Sequence, residues 1–449
     1  MRKFIFPSIA LLTMLSTTLA CATLAGKTPT PIAPPTRTTG PTDAPPTSTP
    51  LAPTVEASST LVPPPPTDTP LPGAPTFTPI PTVAGTPVVL LSIRMFSETA
   101  GWGIGNLAGD PTDHILRTND GGITWTRVTP PEPPGKRATG GFLDLQNAWV
   151  IYVERPPAAS PTSTQVWRTT NGGANWTQNN LDVSGSEYFD PSEVMFVSAQ
   201  VGWLLGHVGA GMNHDYVMGF ATGDGGAHWT KVIDPVGAGS SDLYMSCTKT
   251  GLVFANVSTG WVTGDCNGVQ SGPPYLQKTT DGGHAWAQQN LPAPAAAPNL
   301  FATDAQLACG TDHLAFTTPS NGALVVKCLD YSAHSALAEA WLYVTSDGGG
   351  TWTGRALPLP YGNLFFLNAT TGWWLGSTTT EGTGLTAMYQ TTDSGANWAL
   401  LTNKLSWMGP VDFVTNQTGW VIAHAGSNTA LVRSVNGGSK WGLIPAVVP

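Results

Sequence analysis

The chain has 449 residues, of which 41% are hydrophobic and only 10% charged, and its formal net charge at neutral pH is −9. Such an acidic balance excludes a protein that recognises nucleic acid through a basic surface. Glycine is abundant, with 51 copies, which is typical of short strands joined by many turns.

The N-terminus has the pattern of a secretory signal. Arg2 and Lys3 precede an apolar run from Phe4 to Ala20 that ends in small residues. This run is short for a membrane span, so we predict a signal peptide over residues 1–20.

The end of the leader, Thr18-Leu19-Ala20-Cys21, resembles a bacterial lipobox and departs from it at Thr18, where that motif prefers Leu. The resemblance implies cleavage before Cys21, lipid modification of its thiol and a lipid anchor in the cell membrane. Ordinary secretion and an uncleaved anchor are the alternatives.

The next segment, residues 21–87, is rich in Pro, Thr, Ala and Ser and poor in aromatics. It cannot bury enough apolar surface to offset the entropy of folding, so we expect a disordered linker. At about 3.1 Å per residue, a Pro-rich chain of this length could hold a domain on the order of 100 Å or more from a membrane.

The folded part, residues 88–449, repeats one eight-residue pattern, Ser/Thr-x-Asp/Asn-x-Gly-x-x-Trp. We call each copy a box. The acidic or amide residues of the boxes are Asp120, Asn171, Asp224, Asp281, Asp347, Asp393 and Asn436. The tryptophans that end them are Trp125, Trp176, Trp229, Trp286, Trp352, Trp398 and Trp441.

Each fixed position of the box suits a hairpin turn. An Asp or Asn side chain can accept hydrogen bonds from backbone N–H groups two residues on, and Gly supplies a positive φ. The Trp begins the outgoing strand and can cover the turn. Because each box lies on a different repeat, we expect these side chains to be structural and not a metal or acid–base array.

A second pattern confirms the period. A large apolar residue stands six residues before a Gly/Ala-Trp pair, as Phe196 does before Gly202-Trp203. The fifth unit keeps Phe316 and Gly322 but has Ala323 in the Trp position. Seven units of four short strands predict an all-β fold, a seven-bladed β-propeller of four-stranded antiparallel blades.

Four cysteines remain after Cys21. Cys247 and Cys266 bracket the first hairpin of blade 4, and Cys309 and Cys328 occupy the equivalent positions in blade 5. We predict the disulfides Cys247–Cys266 and Cys309–Cys328, each stabilising the fold by roughly 3 kcal/mol. Free thiols or a metal site fit an exported chain less well, and no His cluster supports a metal.

Loop length separates the two faces of the predicted propeller. With strands A to D in each blade, the A–B and C–D turns lie on one face and have nearly constant lengths. The long B–C and D–A connections lie on the other, which we call the loop face, and loops on a rigid scaffold usually carry binding. The candidate contacts there are Tyr188, Asp190, His207, His214, Asp215, Tyr244, Tyr275, Tyr331, His334 and Trp407.

Basic residues precede four of the boxes: Arg117, Arg168, Lys278 and Arg433. They could form an anion-recognising patch, although a solvated strand end is the simpler interpretation.

The repeats resemble those of BNR/Asp-box propellers. The combination of Gly-Trp with Thr-x-Asp-Gly-Gly-x-x-Trp is most similar to the photosystem II stability/assembly factor-like group, over residues 88–449. That resemblance implies a non-catalytic exported scaffold that holds membrane-protein intermediates. We therefore expect this chain to share the fold and the scaffold character of the group. We do not extend its photosynthetic role to this chain, because members of the group lack such a long linker.

An enzyme is the alternative, since the same box occurs in sialidases and xyloglucan-degrading glycosidases. A sialidase would need an arginine triad, and few Arg stand away from the boxes. A two-carboxylate glycosidase would need a pair across the central channel. The candidates for such a pair are Asp144, Asp190, Asp242, Asp304 and Glu193.

The sequence therefore predicts an exported, monomeric binding or assembly module at the cell surface. Its expected partner is a membrane or cell-surface protein or a glycan, and we expect no cofactor, metal or nucleic acid. How the seventh blade closes stays open: it could use its own strand from Trp441 to Val447 or borrow Val88 to Leu91.

Overall fold

A computed structural model describes residues 83–131, 135–212, 214–235, 243–266, 272–303, 307–330, 336–379 and 384–449. The predicted signal peptide, Cys21 and nearly all of the predicted linker lie outside these ranges, as do Tyr331 and His334. Within the described ranges the chain forms strands and turns, and no helix of the length and hydropathy that a membrane span requires.

The predicted seven-bladed β-propeller is confirmed: seven antiparallel sheets follow one another along the chain. The strands of blades 1 to 4 are β1 (Thr86–Met95), β2 (Gly101–Leu107), β3 (Asp110–Thr118), β4 (Thr126–Arg127), β5 (Arg137–Phe142), β6 (Ala148–Val153), β7 (Ser163–Thr169), β8 (Thr177–Asp182), β9 (Asp190–Phe196), β10 (Gly202–Gly211), β11 (His214–Thr222), β12 (Thr230–Ile233), β13 (Thr248–Phe254), β14 (Gly260–Asp265), β15 (Leu276–Thr279) and β16 (Ala287–Gln288). Those of blades 5 to 7 are β17 (Leu307–Phe316), β18 (Gly322–Asp330), β19 (Ala336–Thr345), β20 (Thr353–Ala356), β21 (Tyr361–Phe366), β22 (Gly372–Ser377), β23 (Thr386–Thr391), β24 (Ala399–Leu405), β25 (Val411–Phe413), β26 (Gly419–Ala425), β27 (Asn428–Ser434) and β28 (Gly442–Ile444), and a last strand, β29 (Val447–Val448), follows.

Two boundaries differ from the sequence-based expectation. β1 begins at Thr86, two residues before the predicted start of the folded part at Val88, because Thr86 and Pro87 pair with β29. In blade 3 the B–C connection from His207 to Asp215, where three candidate contacts were expected in a long loop, is mostly strand, since β10 and β11 pair as far as Gly211 and His214.

The A–B and box turns of each blade bind one another through the backbone. In blade 1, the Gly121 N–H donates to the Thr99 carbonyl at 2.7 Å, and Phe96 N–H donates to Ala100 across the A–B turn at 2.9 Å. All seven blades repeat the first bond; the other pairs are Gly172–Gln146, Gly225–Gln200, Gly282–Ser258, Gly348–Ser320, Ser394–Thr370 and Gly437–Gln417. The turns on this side of the molecule, which we call the box face, therefore have a nearly uniform backbone from blade to blade.

The boxes share a set of hydrogen bonds that closes each turn. Thr118 Oγ1 donates to Asp120 Oδ1 at 2.9 Å and accepts from the Gly122 N–H at 2.9 Å. Asp120 Oδ1 accepts from the N–H groups of Ile123 and Thr124, three and four residues on and not two as expected. The two glycines of this box have φ of +79° and +94°, which side chains with a Cβ rarely adopt.

The tryptophans of the Gly/Ala-Trp pairs join six of the seven blades to the next one. Trp149 of blade 2 stacks on Phe196 of blade 3 with ring centroids 3.4 Å apart, and its Nε1–H donates to Gly225 O at 2.8 Å. Equivalent stacks join Trp102 to Phe142, Trp203 to Phe254, Trp261 to Phe316 and Trp373 to Phe413. Each junction combines buried aromatic area with a satisfied indole donor.

The four basic residues before the boxes complete these junctions. Arg168 lies over the Trp149 ring at 5.7 Å and donates to the carbonyls of Asp224 and Ala199 in the next blade. Arg117, Lys278 and Arg433 lie likewise over Trp102, Trp261 and Trp420. They form neither an anion-recognising patch nor solvated strand ends; the rings and carbonyls hold them between blades.

Blade 7 closes the ring with strands of its own, and β28 is its fourth strand. The Trp420 Nε1–H donates to Gly121 O of blade 1 at 2.9 Å. Past β28, the chain continues as β29, which pairs with the start of β1, and Trp125 N–H donates to Val447 O at 2.8 Å. Both ends of the propeller sequence thus meet in blade 1.

Both predicted disulfides are confirmed. Cys247 bonds to Cys266 and Cys309 to Cys328, with Cα atoms 4.2 Å and 4.0 Å apart. Cys309 and Cys328 are direct cross-strand partners on β17 and β18. Each bridge ties the first two strands of its blade at the end that faces the loop face.

We predict that Trp420→Ala destabilises the propeller by about 3–5 kcal/mol, because it opens a cavity at the junction between blades 7 and 1. Trp420 is fully buried and belongs to the same hydrophobic cluster as Met95 of blade 1. The measurement is thermal and urea unfolding. Leu443→Ala, at a side chain 64% exposed in the same blade, is the control and should change stability by less than about 0.5 kcal/mol. Equal stability of the two variants would contradict the proposed closure.

We also predict that acid weakens the boxes. Hydrogen bonds from Thr351 and Thr345 hold the pKa of Asp347 at about 2, and those from Asn397 and Thr391 hold that of Asp393 at about 2. An unfolded Asp titrates near 3.9, so this stabilisation is complete above that pH and is lost as pH falls from about 4 towards 2.

In the matched control variant, Asn replaces the Asp residue of each of the five acidic boxes. These residues are Asp120, Asp224, Asp281, Asp347 and Asp393. Asn171 and Asn436 already serve blades 2 and 7, where their Oδ1 atoms each accept a backbone N–H at 2.9 Å. The melting temperature of this variant should fall less steeply between pH 4 and pH 2 than that of the wild type. Parallel slopes would show that the boxes do not contribute to the acid transition.

Candidate functional site

The loop face of blades 3 and 4 brings together several of the residues expected there. His207, Asp215 and Tyr275 lie around the Cys247–Cys266 bridge, together with Lys249, which the sequence analysis did not single out. We call these residues the blade 3–4 cluster. Lys249 stands inside β13, whereas the contacts predicted from the sequence were residues of long loops.

The Asp215 carboxylate is the centre of this cluster. It is buried, and it bonds to His207 Nδ1 at 2.9 Å and accepts the Lys249 backbone N–H at 2.7 Å. Burial alone would raise the pKa of Asp215, but these hydrogen bonds and the charges of His207 and Lys249 lower it. Asp215 therefore joins the B–C hairpin of blade 3 to the first strand of blade 4.

All three N–H groups of the Lys249 ammonium have acceptors inside the protein. Its Nζ donates to the carbonyls of Asp215, Ser246 and Cys247 at 3.0, 3.1 and 2.9 Å, and it lies 5.3 Å from the Tyr275 ring centroid. Desolvation lowers the pKa of Lys249 to about 8, against the opposing charge of Asp215. With its three N–H groups occupied, Lys249 positions the surrounding loops and is not free to bind a ligand.

A cavity of about 400 Å³ lies beside the bridge. Its walls include the disulfide, Tyr244, Tyr275 and Asn290. Tyr275 is buried and donates its hydroxyl to Tyr244 O at 2.6 Å, and this burial raises the pKa of Tyr275. Tyr244 is 55% exposed, so it presents an aromatic ring at the edge of the cavity.

The remaining predicted contacts have different surroundings. Tyr188 is partly buried, and desolvation, with the nearby charges of Asp215 and Glu187, raises its pKa. His214 is exposed and stacks on Tyr216 at 5.9 Å. Trp407 packs edge-on against Trp441 at 5.7 Å.

Asp190 lies away from this cluster, in an ion pair with Arg137 at the start of β5. Desolvation, and secondarily the charge of Arg155, lowers the pKa of Arg137. Arg155 Nη2 donates in turn to Asp113 Oδ1 at 2.6 Å. Blades 1 to 3 thus carry alternating charges that neutralise one another.

A larger cavity, about 780 Å³, spans blades 5, 6 and 7 and was not expected from the sequence. We call it the three-blade cavity. It is lined by His313, Lys327, Tyr361, Gly362, Asn363, Met408, Gly409, Pro410, His424 and Gly426. Most of these residues lie in strands, whereas the contacts predicted from the sequence were residues of long loops.

His313 has an unusual backbone at the edge of the three-blade cavity. Its φ is +49°, in a bulge of β17 between Asp312 and Ala315. Its Nδ1 lies 2.8 Å from Asp312 Oδ2, and its Nε2 lies 3.3 Å from Asn363 Oδ1. A non-glycine residue in the left-handed region within a strand is strained, and such strain tends to mark functional positions.

The charges around His313 are balanced. Lys327 Nζ donates to Asp312 Oδ2 at 2.7 Å. Desolvation would raise the pKa of Asp312, but its contacts with His313 and Lys327 lower it. On the opposite wall, His424 Nδ1 lies 3.1 Å from Thr429 Oγ1, and the backbone of His424 pairs with Met408. The cavity therefore offers imidazole, amide, ammonium and phenol groups in fixed positions.

Two carboxyls on first strands have raised pKa values. Desolvation raises the pKa of Glu193 to about 7, although its side chain keeps some accessible surface beside Gly251 of the next blade. Desolvation also raises the pKa of Asp412, against the charge of Arg94 at 3.5 Å and the Met95 N–H at 2.6 Å. Glu193 makes no hydrogen bond or ion pair with the residues that the structure describes.

Other carboxylates considered for catalysis are placed elsewhere. Asp144 lies in the A–B turn of blade 2, where it accepts the N–H groups of Gln146 and Asn147 at 2.7 Å. Asp242 and Asp304 lie outside the described residues. Among the residues that the structure does describe, no three His, Cys, Asp or Glu side chains are grouped as metal ligands.

No protein-family model matches the chain, and no curated protein matches it in sequence. Solved structures do resemble it in fold. A GH74 xyloglucanase from Xanthomonas campestris is 14% identical with a TM-score of 0.52, over 80% of this chain and 53% of the xyloglucanase. The chain thus spans about half of that enzyme.

Two further structures are similar. An oligogalacturonate lyase from Vibrio parahaemolyticus is 9% identical with a TM-score of 0.51, over 80% of this chain and 93% of the lyase. A structure described as YCF48 bound to D1 peptide is 16% identical with a TM-score of 0.49, over 78% of this chain and 94% of that one. At these identities the likeness to the xyloglucanase and the lyase, whose TM-scores exceed 0.5, shows the fold alone.

We predict that Lys249→Met destabilises the protein by about 3–5 kcal/mol, because it leaves three carbonyls without a donor and removes the positive charge near the buried Asp215 carboxylate. The measurement is urea unfolding. Lys440→Met, at an exposed lysine on a box, is the control and should be nearly neutral. The double variant Asp215→Asn/Lys249→Met should recover part of the loss; strict additivity would show that the two residues do not interact.

Proposed function

We propose that this chain is a non-catalytic binding scaffold, exported and anchored to the cell membrane through a lipid on Cys21, whose loop face holds a protein or glycan partner. The observation that carries the proposal is the contrast between the two faces. The box face repeats the same backbone bonds in all seven blades, whereas the irregular connections and the three-blade cavity belong to the other side.

The three-blade cavity has the chemistry of a recognition site for polar ligands. Its volume of about 780 Å³ lies within the range of ligand pockets, roughly 300–1,000 Å³. Tyr361 offers an aromatic ring, and Asn363, His313 and His424 offer donors and acceptors that suit hydroxyl or peptide groups. Its ammonium and carboxylate form an internal pair, so the site does not select strongly for charge.

The charged groups on the loop face are held in fixed pairs. Lys249 is occupied by carbonyls, Asp215 by His207 and Lys249, and Asp190 by Arg137. These pairs stiffen the loops that carry them. A rigid, pre-organised surface loses less conformational entropy when it binds a partner.

Two features support an extracytoplasmic location. The disulfides Cys247–Cys266 and Cys309–Cys328 form and persist in oxidising compartments. The signal and lipobox-like sequence, followed by the predicted linker over residues 21–87, would then place the propeller away from the membrane, where its loop face could reach a partner.

A glycoside hydrolase is the second candidate, and Glu193 is the observation that favours it. Desolvation raises the pKa of Glu193 to about 7, so about half of this carboxyl is protonated at neutral pH and available as a general acid. The xyloglucanase and the lyase with the same fold are named for action on glycans.

The face that binds can be identified by photo-crosslinking. The full chain would carry benzoylphenylalanine in place of Tyr244 on the loop face, or in place of Val257 in an A–B turn on the box face. These two positions are matched controls, being 55% and 59% exposed. With native membranes, we expect adducts from the Tyr244 position only. Equal adducts from both positions, or adducts from Val257 alone, would contradict the proposal.

The same preparations would be incubated with fluorogenic xyloglucan and oligogalacturonide fragments. We expect no turnover above that of Glu193→Gln. Turnover that this substitution abolishes, in a variant with an unchanged melting temperature, would instead establish the glycosidase.

A further inference from the structure

The junction between blades 5 and 6 differs from the other six. Every other blade places a tryptophan against the next blade: Trp102, Trp149, Trp203, Trp261, Trp373 and Trp420. Five of these stack on a phenylalanine of the next blade, with ring centroids 3.4–5.3 Å apart. Blade 5 has Ala323 in this position, so its junction lacks an indole.

A cavity of about 280 Å³ lies at this junction, and its walls include Ala323, Val344, Phe366, Arg355 and Ser394. We call it the blade 5–6 slot. Ala323 pairs with Val344 across β18 and β19, as Trp149 pairs with Arg168 in blade 2. The slot thus occupies the position that an indole and its cation fill in blade 2.

Arg355 explains how the junction stays closed without the indole. Its Nη1 donates to the carbonyls of Asp393 and Ser394 in the box of blade 6. In blades 2 and 6 the indole donates to the box of the next blade, as Trp373 Nε1–H does to Gly437 O at 2.8 Å. Because a guanidinium from β20 supplies this donor, the two blades remain bridged and the slot does not collapse.

Phe366 forms an aromatic wall of the slot. It lies on β21 at the position where Phe196 and Phe413 are covered by the tryptophan of the preceding blade. Phe366 is only partly buried, and no ring of the described residues stacks on it. It therefore presents a free aromatic face, and the guanidinium of Arg355 lines the same cavity.

We propose that the blade 5–6 slot binds a planar aromatic ring of indole size. A cavity of about 150 Å³ in a protein core binds benzene, so 280 Å³ is ample for one bicyclic ring. Stacking on Phe366 and a cation–π contact with Arg355 would hold the ring. This site is on the box face and is independent of the partner of the loop face.

A ligand would supply a ring of indole size. Residues 1–82 contain no tryptophan, and each Gly-Trp tryptophan is already buried at its own junction. The probes are therefore indole, as a free aromatic compound, and N-acetyltryptophanamide, as a ring carried on a peptide.

The experiment is calorimetric titration of the full chain with each probe. We expect wild type to bind indole, and Ala323→Trp to weaken binding at least tenfold, because its own indole fills the slot, while its melting temperature is unchanged or raised. Phe366→Ala should also weaken binding. Binding of N-acetyltryptophanamide would show that the slot admits a peptide-borne ring, and binding of indole alone would show that it takes free aromatics.

Ala323→Leu is the second variant if Ala323→Trp does not fold, since a smaller side chain fills the slot partly and should reduce affinity severalfold. Trp407→Ala, on the loop face, is the control and should bind both probes as the wild type does. Failure of the wild type to bind either probe at millimolar concentration would overturn the proposal, as would equal affinities in wild type, Ala323→Leu and Phe366→Ala.

Discussion

The propeller depends on the stacking of a tryptophan from one blade on a phenylalanine of the next. A four-stranded blade cannot bury both of its faces alone, so its stability comes from its neighbours. At the junction of blades 2 and 3, Trp149 contributes ring area, an indole donor to Gly225 O and a platform for Arg168. The box turn is the acceptor, which explains why the box and the Gly-Trp pair recur together.

This arrangement makes one face rigid and leaves the other free to vary. The box turns are held by the A–B turns of their own blades and by the indoles and cations of the preceding blades. A change in loop length there would break several buried hydrogen bonds at once. The B–C and D–A connections carry no such constraint, so the loop face could acquire long segments, a disulfide-supported cavity and the three-blade cavity without loss of the ring.

The ionisable groups on the loop face divide into two kinds. Asp215, Lys249 and Asp312 have partners of opposite charge, and their role is to position loops and strands. Glu193 has a raised pKa and no such partner among the described residues, and the distinction between scaffold and glycosidase rests on it. Substitution of Glu193 therefore tests the glycosidase directly.

Local repetition determined most of the fold. The box and the Gly-Trp pair are short-range patterns, so the blade number, both disulfides and the degenerate position at Ala323 could be predicted from the sequence. Several predicted loop residues did come together, as His207, Asp215 and Tyr275 show. Only the tertiary structure revealed Lys249, the strained His313, the three-blade cavity and the way β29 meets β1. These features depend on contacts that are distant in the sequence. The spacing of the residues along the chain does not predict such contacts, because the curvature of the whole ring determines which side chains meet.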